Sequence, residues 1–307
     1  MMIWLAAILA ALANLLLALV VSPLFEGSVR KVTAIVQSRK GPPITQAYMD
    51  LAKLLVKEDI EVGESPLMQR FAALLSMASI AAVALFVPSF GLAPISGSAD
   101  GILVIYLLML AGVSVLLAGL AAGSTYSLIG MSREMMSMMT LEPLFAIAVI
   151  QAAYRAGSLR LEALFGGAVY SGALGPWSGL VLMAVMLFAL QAFVGRLPFD
   201  TTEAETEIME GPLVEYSGPK LALFKYSRMV KLFVYSGLFV ALFIPRIPGS
   251  PRWLAALVFL IEQSALVLLS TLLSATHARY RIDQAIRYYA ALFGVGLAAL
   301  LLSLFGL

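Results

Sequence analysis

Apolar residues fall in eight long blocks along the 307-residue chain, at about 1–23, 67–88, 102–122, 136–154, 176–195, 222–244, 254–276 and 288–306. Each is close to the ~20 residues needed to cross ~30 Å of hydrocarbon at 1.5 Å per residue. Ten-residue alternating segments, the signature of an outer-membrane barrel, are missing. The pattern predicts an all-α, polytopic membrane protein with eight transmembrane helices, forming one integral membrane domain over 1–307. Between the first two blocks the period changes. Gln37-Ser-Arg-Lys-Gly-Pro-Pro43 breaks the helix, and 44–57 then reads as an amphipathic interfacial helix. Ala47, Leu51, Leu54 and Leu55 share one side of it, with Asp50, Lys53 and Lys57 on the other. Such a helix anchors to anionic lipid or forms a docking rim for a cytoplasmic partner.

Composition sharpens this picture. Hydrophobic residues make up 61% of the chain and charged residues only 12%, against roughly 25% charged in soluble domains. The first block has no positively charged leader, and its cations, Arg30 and Lys31, follow it. That favours a retained span over a signal peptide, with the N-terminus outside. On that assignment 16 of the 20 Lys and Arg residues lie inside, and Arg155, Arg160, Arg246 and Arg252 lie outside. Both termini are then outside, in the cytoplasmic membrane. Loops 37–66 and 196–221 face the cytoplasm, with Ser38 inside and Ser250 outside. No internal repeat of the kind common in secondary transporters is evident, which disfavours an independent ion transporter.

With no cysteine and one histidine, the chain offers no ligand set for an iron–sulfur cluster, haem or nickel site. Its candidate chemistry is carboxylate chemistry. The stretch from Arg196 to Gly218 holds Asp200, Glu203, Glu205, Glu207, Glu210 and Glu215. Close carboxylates raise one another's pKa and can hold or pass protons. If helical, the stretch places Glu203, Glu207 and Glu210 on one face. Like charges there must be solvated, matched to cations or partly protonated. Thr201 and Thr202 are capping candidates for the turn that follows, and Gly211-Pro212 its end. Glu142, about one turn into the fourth block, and Glu262, in the seventh, are ionisable groups at membrane depth and candidates for proton transfer. Asp100 reads as a helix cap. Met131, Met135, Met136, Met138 and Met139 read as adaptable packing, and His277 as a boundary histidine making local bonds.

These residues also carry a resemblance. Gln37–Pro43 with Leu51–Glu58, Gly119–Arg133, Leu197-Pro-Phe-Asp200 with Glu203-Ala-Glu205, Glu207 and Glu215-Tyr-Ser-Gly218, and Tyr280-Arg-Ile-Asp-Gln284 resemble the four inner loops of one family. It comprises the quinone-site membrane subunit of respiratory complex I and its relatives in membrane-bound group 4 nickel–iron hydrogenases. The resemblance implies a non-catalytic membrane anchor beneath hydrophilic electron-transfer subunits on the cytoplasmic side. It implies antiporter-like membrane subunits as further partners, in contact with lipid, and no nucleic acid. Iron–sulfur clusters and a nickel–iron centre would lie in those partners, with no cofactor in this chain. Asp200, Glu203, Glu205, Glu207, Glu210, Glu215 and Glu142 would then belong to a polar coupling path. Arg39, Lys40, Arg133, Arg196, Tyr216, Arg281 and Asp283 would dock partners or stabilise loops.

Two departures bear on the branch. Pro43-Ile44 stands where complex I members usually carry Asn-Arg, and Arg196 lacks an adjacent Asn before Pro-Phe-Asp. The resemblance is therefore nearer to ferredoxin-linked hydrogenases that couple electron transfer to proton or sodium translocation. A quinone-site complex I subunit and a sulfur-reducing or formate-oxidising complex are the alternatives.

Overall fold

The computed structural model describes residues 2–61, 65–89, 99–170, 177–245 and 251–306; the side chains of residues 2–6, Glu205 and Arg252 are outside that description. Arg246 and Ser250 also lie outside the described residues. Among the described residues eleven α-helices follow one another: α1 Met2–Val36, α2 Gln46–Val56, α3 Pro66–Phe86, α4 Gly101–Ala122, α5 Thr125–Ala156, α6 Leu161–Leu164, α7 Trp177–Val194, α8 Glu205–Ile208, α9 Gly218–Phe243, α10 Arg252–Thr276 and α11 Ile282–Leu304. Eight of them, α1, α3, α4, α5, α7, α9, α10 and α11, are long and apolar enough to span a membrane.

Two spans outrun their apolar blocks. α1 continues past Pro23 to Val36 because the added turns have a face to bury. Phe25 and Val29 enter the core, and the Phe25 ring lies 5.9 Å from that of Phe233. α5 begins eleven residues before its block, where Ser124 caps it by accepting from Ser127 N at 3.2 Å. Glu142 is therefore more than four turns into α5, not one.

α9 is the most buried span. It packs against α1, α2, α3, α7 and α10 and carries the fully buried Leu232, Phe233, Leu238 and Phe243. Gln263 of α10 donates from Nε2 to Ser236 Oγ of α9 at 3.0 Å, a polar tie of the kind that joins helices in lipid. Exposed Ile8, Leu12, Leu16 and Val20 of α1 and Leu297 and Leu301 of α11 are apolar surface suited to acyl chains. Trp177 and Trp253 stand exposed at the N-terminal ends of α7 and α10, as interfacial aromatics do.

The expected interfacial helix is α2, seated on the bundle. Ala47 and Leu51 are buried against Met229 of α9, and Asp50 accepts from Arg30 Nη1 of α1 at 2.7 Å. Leu55, assigned to the buried side, is exposed, because the contact with α9 covers only the turns around Ala47 and Leu51. Asp100 occupies the N-cap position of α4 without a side-chain cap. Its neighbours make backbone bonds instead, Gly101 N to Leu159 O and Leu161 N to Ala99 O.

Candidate functional site

The acidic stretch folds as a set of anchors. α7 stops at Val194, and Gly195 turns the chain with φ +65°. Phe199 then inserts among Tyr280, Tyr288 and Tyr289, with centroids 4.8–5.4 Å away. At the far end Tyr216 donates to Ala118 O of α4 at 2.9 Å, and burial raises its phenol pKa above the ordinary value. Between these ends a Gly211–Leu213 turn lies on Gly130 of α5, where a Cβ would come within 2.8 Å of Gly211 Cα. Ser127 donates to Pro212 O at 3.3 Å.

Glu205–Ile208 is α-helical and Gly211–Leu213 forms a 3-10 turn; the N-cap of the α-helical turn is Ala204, so neither Thr201 nor Thr202 caps it. Thr201 is buried, and its carbonyl accepts from Arg133 at 3.2 Å. Glu203 and Glu210 fall outside this one-turn helix, so the three acids share no helical face. Each meets its own cation: Glu203 pairs with Arg228, Glu207 with Arg133 at 2.6 Å, and Glu210 with Lys225 at 3.7 Å. Asp200 pairs with Arg279 at 2.5 Å. Of the three possibilities for this charge cluster, matching to cations holds for Asp200, Glu203, Glu207 and Glu210, and the side chains of Glu207 and Glu210 are partly open to solvent as well. Glu215 is half-buried and joins none of these pairs. The Glu205 side chain is outside the description.

Arg196 reaches across to Glu26 of α1, which also holds Arg30 at 3.2 Å. Together α1, the first inner loop, the acidic loop and α9 enclose a cavity of ≈670 Å³. Glu26, Arg30, Arg39, Lys40, Arg196, Asp200, Glu203, Glu210, Lys225 and Arg228 all line it. A smaller cavity of ≈70 Å³ shares Glu203 and Arg228 with it and adds Glu134 and Lys231. A third, of ≈50 Å³, shares Glu134 and Lys231 and reaches Glu142 and Tyr235. Glu142 and Met138 then also line an apolar groove of ≈400 Å³ between α4 and α5. Polar side chains thus run from the large cavity to Glu142.

Other candidates stand apart. Glu262 is half-buried on α10 and lines none of these cavities. Arg281 and Asp283 are exposed at the start of α11; from this last inner loop it is Arg279 that pairs with the acidic loop. Met135 and Met139 line the groove with large exposed surfaces. His277 makes local bonds, from Nδ1 to Leu273 O at 2.8 Å and to Thr276 Oγ1 at 3.1 Å. No group of three His, Asp or Glu side chains suited to a metal ion occurs among the described residues. Sequence reasoning missed Glu26 and Glu134, the pairing of Asp50 with Arg30, and that of Lys220 with Asp59 at 3.2 Å. The spacing of Glu26 and Arg30, one helical turn apart with opposite charge, was the available signal for the first.

Residues 8–304 match the NADH dehydrogenase family. The chain belongs to that family. Among its relatives, hydrogenase-4 component C of Escherichia coli (strain K12) is 36% identical over 76% of this chain and 75% of its own length. Formate hydrogenlyase subunit 4 of the same organism is 31% identical over 95% and 97%. A subunit of the NADH-quinone oxidoreductase of Brevibacillus brevis is 31% identical over 89% and 86%. Among solved structures, a chain of the membrane-bound sulfane sulfur reductase, an archaeal respiratory membrane complex, superposes with a TM-score of 0.84 at 26% identity, over 95% of this chain and 99% of that one. This NADH dehydrogenase family member is thus a membrane subunit of a complex I-like hydrogenase or a related membrane complex, and other subunits are its partners.

Proposed function

We propose that this chain is the membrane anchor and energy-coupling subunit of a multisubunit ferredoxin-dependent hydrogenase. Hydrophilic partners on the cytoplasmic side carry the iron–sulfur clusters and the nickel–iron centre. Antiporter-like membrane subunits receive the coupling, and the exported ion is the proton, with sodium moved by those subunits where they exchange it. The observation that carries this reading is the succession of cavities from Glu26 and Arg196, past Glu203 and Arg228, to Glu134, Lys231 and Glu142. Carboxylates at membrane depth are costly unless hydrated, paired or neutral, and such sites mark ion pathways. The similarity to hydrogenase-4 component C supports the hydrogenase branch.

The likeness to the sulfane sulfur reductase chain supports one alternative, a sulfur-reducing complex of the same architecture. Metal analysis of the purified complex separates the two, since only the hydrogenase requires nickel in its large partner.

Glu142→Gln tests the coupling role. Gln preserves size and much of the hydrogen bonding while removing the titratable proton. In sealed vesicles containing the assembled complex, the variant is expected to retain its subunits and lose proton uptake. Wild-type uptake per hydrogen evolved would overturn the path at this residue.

A further inference from the structure

The two small cavities share a wall on α9. Glu134 and Lys231 line both, Glu203 and Arg228 line the outer one, and Glu142, Tyr235 and Tyr289 line the inner one. Arg228 and Lys231 are three residues apart, so they lie one turn from each other on the same side of α9. Their partners differ. Arg228 is fixed by Glu203 and by donation to Gly195 O at 2.9 Å. Lys231 takes no part in the ion pairs formed among the described residues. Its ammonium stands 5.8 Å from the centre of the Tyr235 ring, a cation–π distance. A lysine ammonium on its four-carbon stem can follow a moving charge where a planar guanidinium holds one fixed geometry.

We propose that Lys231 is the positioning counter-ion for a proton passing between Glu134 and Glu142. One ammonium balances one carboxylate. With Glu134 protonated and Glu142 ionised, the cation rests against Glu142; its swing toward Glu134 favours the ionised form there and leaves Glu142 the better proton acceptor. The proton then leaves Glu134, crosses water in the inner cavity and joins Glu142. One O–H bond breaks, one forms, and the total charge is unchanged. The inner cavity's ≈50 Å³ exceeds the order of 10–15 Å³ that a water needs. Two ionised carboxylates would set two negative charges against one cation, with Glu142 at membrane depth, which is disfavoured. The inference rests on the coupling function proposed above and names the residue that makes its inner acids share one charge.

The test uses the assembled complex with Lys231→Met and Lys231→Arg. Two readouts are needed: proton uptake by sealed vesicles, and the infrared carboxyl bands of carbon-13-labelled glutamate. Lys231→Met is expected to slow uptake roughly tenfold, the change in proton affinity that corresponds to a shift of about one pKa unit from loss of a neighbouring opposite charge. It should add a protonated-carboxyl band that a second change, Glu142→Gln or Glu134→Gln, removes. Lys231→Arg should restore most of the uptake. Equal impairment in both variants, without a new band, would mark a packing role and overturn the inference, as would a fully active Lys231→Met. If the wild-type complex moves no protons while Lys231→Met still adds the band, the coupling function fails and the counter-ion role stands. Unchanged bands in a complex that pumps overturn the counter-ion role alone.

Discussion

Glu26 of α1 and Arg196 of the acidic loop, 170 positions apart, form a partly buried ion pair at the edge of the large cavity. The pair closes the first span onto the loop that holds six of the chain's 18 acids. Glu26 also holds Arg30 at 3.2 Å, and Arg30 holds Asp50 at 2.7 Å. The first span, the α2 seat and the third inner loop are therefore joined through one row of charges.

Breaking that row at its centre should be severe. Glu26→Gln leaves Arg196 without its carboxylate; losing one partner of a fully buried pair costs about 3–5 kcal/mol, and this partly buried pair should lie at or below the lower end of that range. Thermal unfolding of the purified complex should show the loss. The double variant Glu26→Gln with Arg196→Gln should be less destabilised than the sum of the single changes, because the two residues are in contact. Strict additivity would remove the pair from the account of stability.

Gly130→Ala should push the acidic loop off α5. The added Cβ would stand 2.5 Å from Pro212 Cδ and 2.8 Å from Gly211 Cα, and the backbone on both sides must move. Overpacking of this kind costs about 1–3 kcal/mol. Limited proteolysis should cut the 200–215 segment faster in the variant than in the wild type. Equal rates would show that the loop adjusts without detaching.

The seat of α2 should weaken in acid. The hydrogen bond from Arg30 holds the Asp50 carboxyl below its usual value of 3.8. A lowered folded-state value means the contact stabilises the folded form above the free-carboxyl value, and the contribution disappears as pH falls through the lowered one. Protection of the α2 amides, measured relative to intrinsic exchange at each pH, should therefore fall on acidification below about pH 4, given an ordinary Asp value near 3.9. Asp50→Asn should already show low protection at neutral pH and less of this dependence. A steep acid response retained in Asp50→Asn would assign it to another group.

Because the chain has no cysteine, single substitutions can report its orientation. Ser38→Cys is expected to resist an impermeant thiol reagent applied from outside the cell, and Ser158→Cys to react. The reverse pattern would invert the topology read from the Lys and Arg distribution.

Much of the architecture was legible without coordinates. A bilayer demands about 20 apolar residues per crossing and satisfied backbone groups within it, so hydropathy located all eight spans. The Gly-Pro-Pro break before α2 was readable for similarly local reasons. The ends of α1 and α5 were not. Pro23 and the polar turns after Thr125 look like loop, and they are helical because other helices bury one side of them.

The acids of the third inner loop stood out as a group, and their need for hydration, cations or protons followed from like-charge repulsion alone. Which solution holds was decided in three dimensions. Glu203 meets Arg228, Glu207 meets Arg133, and Asp200 meets Arg279, 79 positions away. Glu134, unremarked in a methionine-rich run, shares two cavities with Lys231. Local periodicity records which way a side chain leaves its own helix. The charge that waits there is set by the packing of distant helices, and no local pattern encodes it.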